Sequence, residues 1–163
     1  MLLSYLLTSL CTIDWFLFLV VPLFNESERA TIFQLDITRR EDIDAACNLM
    51  KKKTNKLHTL VNNPEIATSD RINWITMDSM REVMAINFFG HADMTKTFLP
   101  LLVTKRDSRV INISSTVGFI ALTSCSACCA AKYALESFVD CVRREMLPCG
   151  LPSLNNILSQ HMM

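Results

Sequence analysis

The chain has 163 residues, half of them hydrophobic, which is enough for one folded domain and too little for two ordinary ones. Its 16 basic and 16 acidic side chains cancel, so the composition supplies no net field that would attract nucleic acid or acidic lipid. Seven cysteines are an odd number without a disulfide-scaffold spacing, which indicates a reducing compartment.

Residues 1–24 are strongly apolar and allow two interpretations. A signal peptide or membrane anchor would explain the apolar run, but no Lys or Arg precedes Arg29, and Asp14 divides the run. The stretch after Asp14 is about half of the roughly 20 residues that a spanning helix needs. The alternative is a short helix up to Thr12, a turn at Asp14 and a buried strand over about 15–21. These features favour the second interpretation and leave the first open.

Beyond residue 24 the hydrophobic pattern predicts strands that alternate with helices. Strands are predicted over about 31–35, 57–61 and 110–113. Helices are predicted after a capping-box signature at Thr38-Arg39-Arg40-Glu41, after a cap at Asp78-Ser79, over about 90–102 with Pro100 inside, and over about 126–146. One face of the first helix carries Ile43, Ala46, Cys47 and Met50, and one stripe of the second carries Met80, Val83, Met84 and Asn87. Such alternation predicts an α/β fold with a doubly wound parallel sheet and flanking helices.

Three parts of the chain are predicted on this basis. Residues 1–24 form the apolar N-terminal segment (a remnant helix and strand, or a membrane anchor), residues 25–151 form the domain, and residues 152–163 form an irregular tail without a clear hydrophobic period. The run 51–53 consists of three lysines and is expected to be the solvated end of a helix, because cations interact favourably with the C-terminal end of the helix dipole.

Cys125 and Cys128 have the C-x-x-C spacing, and a thiol near a helix N-terminus can have a lowered pKa. The sequence has no second such pair, and His58, His91 and His161 lack the spacing of metal ligands. A thioredoxin-like role is disfavoured because no strand immediately precedes the pair. We therefore predict no metal site.

Six short strings follow one another in an order that is typical of one enzyme family. They are Leu35-Asp36-Ile37-Thr38, Leu60-Val61-Asn62-Asn63, Ile86-Asn87-Phe88-Phe89-Gly90, Phe98-Leu99-Pro100-Leu101-Leu102, Arg109-Val110-Ile111-Asn112-Ile113-Ser114-Ser115 and Lys132-Tyr133-Ala134-Leu135-Glu136-Ser137-Phe138. Over about residues 33–151 the chain resembles the short-chain dehydrogenase/reductases, in the branch of retinol, hydroxysteroid and D-3-hydroxybutyrate dehydrogenases. The resemblance implies a partial Rossmann-like domain and NAD- or NADP-dependent oxidation of a hydroxyl group on a lipid-like alcohol, or the reverse reduction.

The resemblance also implies an active site. In the family a tyrosine exchanges a proton with the substrate oxygen while hydride moves to or from nicotinamide. A lysine lowers the pKa of that tyrosine and holds the ribose, a serine steadies the substrate oxygen, and an asparagine keeps a water in the proton relay. The catalytic residues implied here are Asn87, Ser115 and Lys132, with Cys128 at the tyrosine position, 13 residues after Ser115.

The dinucleotide site implied by the resemblance consists of Asp36, Ile37, Asn62, Asn63 and Lys132. A small lipophilic alcohol or ketone is the implied substrate, with no nucleic-acid partner. The location implied is the cytoplasm, or association with the endoplasmic reticulum or mitochondrial membranes.

Four departures from the family pattern predict impaired catalysis. Cys128 replaces the tyrosine, and Pro64-Glu65 replaces Ala-Gly after the two asparagines. The glycine-rich turn that cradles the pyrophosphate has no counterpart, since the glycines are Gly90, Gly118 and Gly150. If residues 15–21 are the second strand of the fold, the first strand is missing, and the strand after residue 151 is expected to be missing too. The chain is thus expected to be truncated at both ends relative to the family.

Each candidate residue also has a structural interpretation. The sulfur of Cys128 falls short of a phenolic oxygen by on the order of 4–5 Å, which favours a small buried thiol. Ser115 would serve as a strand-end cap, and Lys132 would persist as a relic or bind a ribose. Asn87 lies on an apolar stripe, so its amide must be hydrogen-bonded.

Two further functions stay open. The family pairs its subunits through the helices around 90–102 and 126–146, so the chain would act without catalysis as a dimerisation or regulatory partner of a full-length relative. Insertion of residues 2–24 in a bilayer would instead make it a membrane-anchored family member.

Overall fold

The computed structural model of the chain describes residues 5–9, 17–20, 31–149 and 153–159. The strands are β1 (Tyr5–Ser9), β2 (Leu17–Val20), β3 (Thr31–Gln34), β4 (Thr59–Asn62), β5 (Arg109–Ser115) and β6 (Ser153–Ser159). The helices are α1 (Arg40–Lys53), α2 (Met77–Met84), α3 (His91–Val103) and α4 (Ser126–Met146). A π-helical turn, Ala85–Gly90, joins α2 to α3, and 3₁₀ turns follow β5 (Thr116–Gly118) and α4 (Leu147–Cys149). The predicted α/β fold is confirmed.

The strands form one sheet in the order β3-β2-β1-β4-β5-β6. Strands β1, β4, β5 and β6 run parallel, whereas β2 is antiparallel to both of its neighbours. The sheet is therefore mixed at the β2 side, whereas a doubly wound parallel sheet was predicted. The reason is the length of the connections. Residues 10–16 and 21–30 are too few for the crossover of a dozen or more residues that a parallel pairing needs.

The first strand of the sheet lies where the sequence predicted a helix. Tyr5–Ser9 form β1, which pairs with β2 on one side and β4 on the other, so the predicted helix up to Thr12 and the missing first strand are both wrong. Pairing on two sides satisfies the backbone of β1 and overrides the local helical preference of its leucines. The predicted strand over 15–21 is confirmed at Leu17–Val20, while residues 10–16 lie outside the described part of the chain.

The predicted irregular tail also forms a strand. Ser153–Ser159 pair with β5 from Arg109 to Ser115, so neither the irregular tail nor the missing C-terminal strand is correct there. The backbone groups along the free edge of β5 need partners, and β6 supplies them without an alternating hydrophobic pattern. The sheet thus includes strands from all three predicted parts of the chain. The boundaries between those three parts remain predictions. Within the described residues, no helix is long and apolar enough to cross a membrane.

The core lies between the helices and one face of the sheet. Leu60 of β4 and Val110 of β5 are register partners and point to this face. The core side chains from the helices are Ile43, Ala46, Cys47 and Met50 of α1, Met94, Phe98, Leu101 and Leu102 of α3, and Leu135 and Val139 of α4. The predicted buried face of α1 is confirmed, and so is the exposure of its three C-terminal lysines.

Both predicted helix caps are wrong. Helix α1 begins after Arg39 without a side-chain cap, because the hydroxyl of Thr38 donates to the Asp36 carboxylate at 2.7 Å. At α2 the cap is Thr76, whose hydroxyl accepts a hydrogen bond from the backbone N–H of Ser79. At α1 an Asx-type turn of Asp36 engages Thr38 in place of a cap. At α2 the nearby Thr76 is the cap in place of the expected residues. In both cases short polar side chains compete for the same local backbone groups.

Candidate active site

Residues 64–68, the extended segment that follows β4, are fastened by side chains from three helical elements. We call this segment the strap. The hydrogen bonds join His91 Nε2 to Pro64 O (2.8 Å), Lys132 Nζ to Glu65 Oε2 (2.9 Å), Ile66 N to Asn87 Oδ1 (2.9 Å), Asn87 Nδ2 to Ile66 O (2.8 Å) and Thr68 N to Cys128 Sγ (3.4 Å). Three of the four predicted catalytic residues therefore meet on one backbone segment.

Asn87 lies in the π-helical turn and is completely buried. Its amide oxygen accepts from the N–H of Ile66 and its amide nitrogen donates to the carbonyl of the same residue, so both polar ends are satisfied. Wide π-helical turns are frequent at functional sites. Here the turn places a polar side chain on a helical stripe that is otherwise apolar, as the sequence led us to expect.

Lys132 is completely buried in α4, which begins at Ser126. Its ammonium group donates to the carboxylate of Glu65 at 2.9 Å and to the carbonyl of Ile113 in β5 at 3.0 Å. A buried ammonium is tolerated only with such partners, because its desolvation costs several kcal/mol. A methyl group added at Gly118 would lie 3.4 Å from the Lys132 Cβ, so the 3₁₀ turn after β5 packs closely over the lysine.

Cys128 is a small buried thiol on the same helix. It packs with Val83, Ala127 and Ala131, and its sulfur contacts both the N–H and the carbonyl of Thr68, at 3.4 and 3.6 Å. The thiol thus acts as acceptor and donor towards one strap residue. This contact occupies the position that a tyrosine has in the family pattern.

Ser115 ends β5 and caps the 3₁₀ turn that follows. Its hydroxyl accepts from the N–H of Val117 at 3.5 Å. Among the contacts of the described residues, none joins Ser115 to Cys128 or Lys132. The structure therefore brings Asn87, Cys128 and Lys132 together through the strap and leaves Ser115 in the predicted role of a strand-end cap.

His91, the first residue of α3, is the most perturbed titratable group near the site. Burial lowers the pKa of His91 to about 4, the positive charge of Lys132 acts in the same direction, and the carbonyl of Pro64 opposes both. The ring is therefore neutral at neutral pH, with Nε2 protonated because Pro64 O can only accept.

Cys125 lies directly before α4. Burial raises the pKa of the Cys125 thiol, with Cys129 and Cys128 adding to the shift. That direction opposes a reactive C-x-x-C pair.

Comparison with known proteins identifies the family of the chain. The sequence profile described as short chain dehydrogenase matches residues 20–156. The chain belongs to the short-chain dehydrogenase family. It is 35% identical over 130 residues to a mitochondrial D-beta-hydroxybutyrate dehydrogenase of Bos taurus, covering 77% of this chain and 38% of that protein. It is 38% identical over 130 residues to estradiol 17-beta-dehydrogenase 2 of Mus musculus, covering 77% of this chain and 33% of that protein.

Solved structures of short-chain dehydrogenases agree with the fold. A short-chain dehydrogenase from Streptomyces avermitilis superposes with a TM-score of 0.73 at 27% identity, covering 77% of this chain and 46% of that one. The chain therefore spans less than half the length of the relatives it matches. The predicted family and fold are confirmed.

Short-chain dehydrogenases use NAD or NADP, and the residues implied to hold it are engaged within this chain. The Asp36 carboxylate accepts from the N–H and the hydroxyl of Thr38, at 2.8 and 2.7 Å. Ile37 is buried, and a methyl group added at Gly90 would lie 2.5 Å from its Cδ1. Asn62 is buried and donates to Asn112 Oδ1 at 2.9 Å and to Thr95 Oγ1 at 3.2 Å.

The fit to a dinucleotide is therefore poor. Asn63 lies half-buried directly after β4, but Lys132 directs its ammonium group to Glu65 and Ile113. The sequence between β1 and β2 contains no glycine, the residue type that the family's glycine-rich turn uses for close backbone approach to the pyrophosphate. The residues present do not fit the cofactor of the family. Among the described residues no group of three or more His, Cys, Asp or Glu side chains could hold a metal ion either.

Two residues of the site, Glu65 and His91, have partners that the sequence does not predict. The sequence marks Glu65 only as a departure from the family's Ala-Gly, and His91 only as a histidine without the spacing of a metal ligand. An acid that replaces a glycine in a family whose neighbouring site has an obligatory lysine is a signal for an ion pair. His91 had no comparable signal, because its burial follows from the packing of α3 against the strap.

Proposed function

We propose that this chain is a short-chain dehydrogenase family protein whose own hydride-transfer site is closed. The parent activity is NAD(P)-dependent oxidation of a hydroxyl group, or reduction of a carbonyl, on a lipid-like alcohol of the retinol, steroid or hydroxy acid class. The chain itself is catalytically impaired. The observation that carries the proposal is the contact of 2.9 Å between Glu65 and the completely buried Lys132.

The ion pair removes the lysine from its family role. A lysine that is to lower the pKa of a tyrosine and bind a ribose must direct its ammonium group towards them. Lys132 instead donates to Glu65 and to the Ile113 carbonyl, and both acceptors are part of the chain. A ligand that replaced Glu65 would have to supply an equally good partner for the ammonium group, because a completely buried charge without a partner is strongly unfavourable.

The proton-transfer group is also missing. The Cys128 sulfur contacts the backbone of Thr68, and a thiol at this position falls short of a phenolic oxygen by on the order of 4–5 Å. A general acid must lie within hydrogen-bond reach of the atom that it protonates. The ion pair of Lys132 with Glu65 and the loss of the phenol both affect the proton-transfer step. Restoration of one residue is therefore not expected to restore turnover.

The substrate class rests on the names of the relatives. The bovine relative is a D-beta-hydroxybutyrate dehydrogenase and the mouse relative an estradiol 17-beta-dehydrogenase. Both names describe dehydrogenation of a molecule that carries a hydroxyl group on a hydrocarbon skeleton. We assign the same class to the ancestor of this chain.

Nucleotide titration of the purified, monodisperse chain tests the proposal. We expect NADH fluorescence to show no saturable binding at micromolar protein, and no turnover of hydroxybutyrate, estradiol or retinol with NAD or NADP. Cys128→Tyr and Glu65→Gly, alone and together, are expected to stay inactive, because the sequence after β1 still has none of the glycines of the family's pyrophosphate turn. Tight dinucleotide binding by the unmodified chain, or turnover by Cys128→Tyr alone, would contradict the proposal.

A non-enzymatic partner role is the second candidate, and it rests on exposed apolar side chains along the helices. Met77 and Phe89 are each 60% exposed and line an apolar groove with Met80 and Met84. Tyr133, on α4, is exposed as well. The groove is formed by α2 and the π-helical turn that leads into α3, and Tyr133 lies on α4. Helices α3 and α4 are the ones through which the family pairs its subunits. Light scattering of the chain alone, and co-purification with a full-length relative, test for a homodimer and a heterodimer. A monomer that captures no relative would exclude this role.

A further inference from the structure

The two anchors that distinguish this strap from the family pattern are Glu65 and Cys128. Glu65 stands where the family has a glycine, and Cys128 stands where it has the tyrosine. Glu65 precedes Ile66 in the strap, and the Thr68 backbone that Cys128 contacts follows it. Asn87 holds Ile66 between them through both of its backbone groups. Each end of the strap is therefore attached to α4 by one residue that the family does not share.

The contacts at the Thr68 end depend on a thiol. The Cys128 sulfur accepts from the Thr68 N–H at 3.4 Å and lies 3.6 Å from the Thr68 carbonyl, to which it donates. Its longer contact of 4.0 Å reaches the carbonyl of Ile66. Sulfur is a weak hydrogen-bonding group, yet here it is the buried partner of a strap backbone that runs past it. A larger side chain would occupy the volume in which the strap lies.

The contacts at the Glu65 end close the site. Lys132 is completely buried, while the Glu65 side chain is 27% exposed, so the carboxylate covers the ammonium group from the solvent side. Cys128 and Lys132 are four residues apart on α4 and therefore share one helical face. The strap lies along this face with its two ends attached one turn apart.

We infer that Cys128 is a positioning residue that acts through the strap. By holding Thr68 it keeps the strap against α4 and thereby keeps the Glu65 carboxylate on Lys132, so that the strap is an internal occupant of the site. This inference rests on the proposed function, because it states how the closed site is kept closed. Loss of the thiol contact releases the strap from α4. This release also weakens the cover that Glu65 provides and makes Lys132 more accessible.

Two measurements on the full chain test this, both without dinucleotide or substrate. Amide hydrogen exchange reports on the Thr68 N–H, and acetic anhydride labelling followed by mass spectrometry reports on access to Lys132, with the exposed run 51–53 as the internal reference. In Cys128→Ala we expect both rates to rise about fivefold, the factor by which loss of one net hydrogen bond shifts an opening equilibrium. Cys128→Ser supplies a hydroxyl that donates and accepts, and is expected to return both rates to near those of the unmodified chain.

Cys47→Ala is the matched control. Cys47 is a buried thiol of α1 whose sulfur contacts the carbonyl of Thr97, away from the strap. Equal changes in Cys47→Ala and Cys128→Ala would mean a loss of global stability and would overturn the inference. Faster exchange at Thr68 without faster labelling of Lys132 would overturn it too, because the thiol would then act only locally. If Cys128→Ala does not fold, the same comparison is made with Cys128→Val, which fills the volume of the thiol but neither donates nor accepts. Faster exchange at Thr68 together with faster labelling of Lys132 supports the inference, and unchanged rates contradict it. Turnover by the unmodified chain would refute the proposed function alone, since neither rate depends on catalysis.

Discussion

Glu65 and Lys132 form an ion pair of 2.9 Å in which the lysine is completely buried and the acid is 27% exposed. The pair is asymmetric, so its two members are not equally replaceable. Removal of the acid leaves an ammonium group in the interior, whereas removal of the lysine leaves a carboxylate that can reach water. The stability of the fold therefore depends on an acid that the family pattern does not contain.

Glu65→Gln is expected to destabilise the chain by about 2–4 kcal/mol. This is near the lower end of the cost of breaking a buried ion pair, because the Ile113 carbonyl continues to accept from Lys132. The measurement is the free energy of unfolding from urea denaturation. The double variant Glu65→Gln/Lys132→Met is the control, and its loss should be much smaller, since no buried charge remains without a partner. Equal losses in the single and double variants would show that the ion pair is not what the fold requires.

The stability of the chain is expected to fall as the pH falls from about 6.5 towards 4. The pKa of His91 is lowered from 6.5 to about 4 by burial, with Lys132 adding to the shift. Between these values the unfolded chain binds a proton that the folded chain does not, so the free energy of unfolding rises with pH there. The full contribution is present above the unfolded pKa, and about 3 kcal/mol is lost once the pH reaches the folded pKa.

The measurement is urea denaturation across this range of pH for the unmodified chain and for His91→Gln, which keeps an N–H donor for Pro64. His91→Gln should remove most of the pH dependence in this window. His58→Gln is the comparison. Burial, Lys105 and Arg109 lower the pKa of His58 as well, but its ring is half-buried, so its share is expected to be small. A pH profile unchanged in His91→Gln would mean that other groups cause the acid sensitivity.

The middle of the chain could be predicted from sequence because its signals are local. The buried face of α1 and the limits of α4 follow from periodicity and from the polar residues that end each element. The two ends of the chain could not. Tyr5–Ser9 and Ser153–Ser159 become strands because they complete a sheet whose other strands are distant in sequence, and no local pattern contains that information.

The candidate site shows the same division. The sequence identified Asn87, Cys128 and Lys132, since each occupies a recognisable position in a motif. It did not predict that all three would contact the strap, because the contacts depend on the path of the backbone after β4 and on the side chain of Glu65.

Gly90→Ala is expected to destabilise the chain by about 1–2 kcal/mol, even though alanine favours a helix over glycine by about 1 kcal/mol. A Cβ at this position would lie 2.5 Å from the Ile37 Cδ1 and 3.1 Å from the Ile37 carbonyl oxygen. The side chain can move, but the backbone carbonyl resists, and overpacking of a core costs more than the helix gains. Thermal and urea unfolding check the sign. The double variant with Ile37→Ala should show strong non-additivity, and additive losses would show that the two residues do not clash.

Cys128→Tyr, which restores the family residue, is expected to lower the free energy of unfolding by about 1–3 kcal/mol, the usual cost of overpacking. The thiol lies among Val83, Ala127 and Ala131 and against Thr68, so a phenol ring fits only if the strap moves away from α4. The exposed Cys141 on the same helix provides a matched control, because Cys141→Tyr makes the same chemical change without a packing conflict. Urea denaturation should separate the two variants by at least 1 kcal/mol, and in Cys128→Tyr the amide of Thr68 should exchange faster. Equal stability of the two tyrosine variants would show that the strap leaves room for the family residue, and closure of the site would then rest on Glu65 alone.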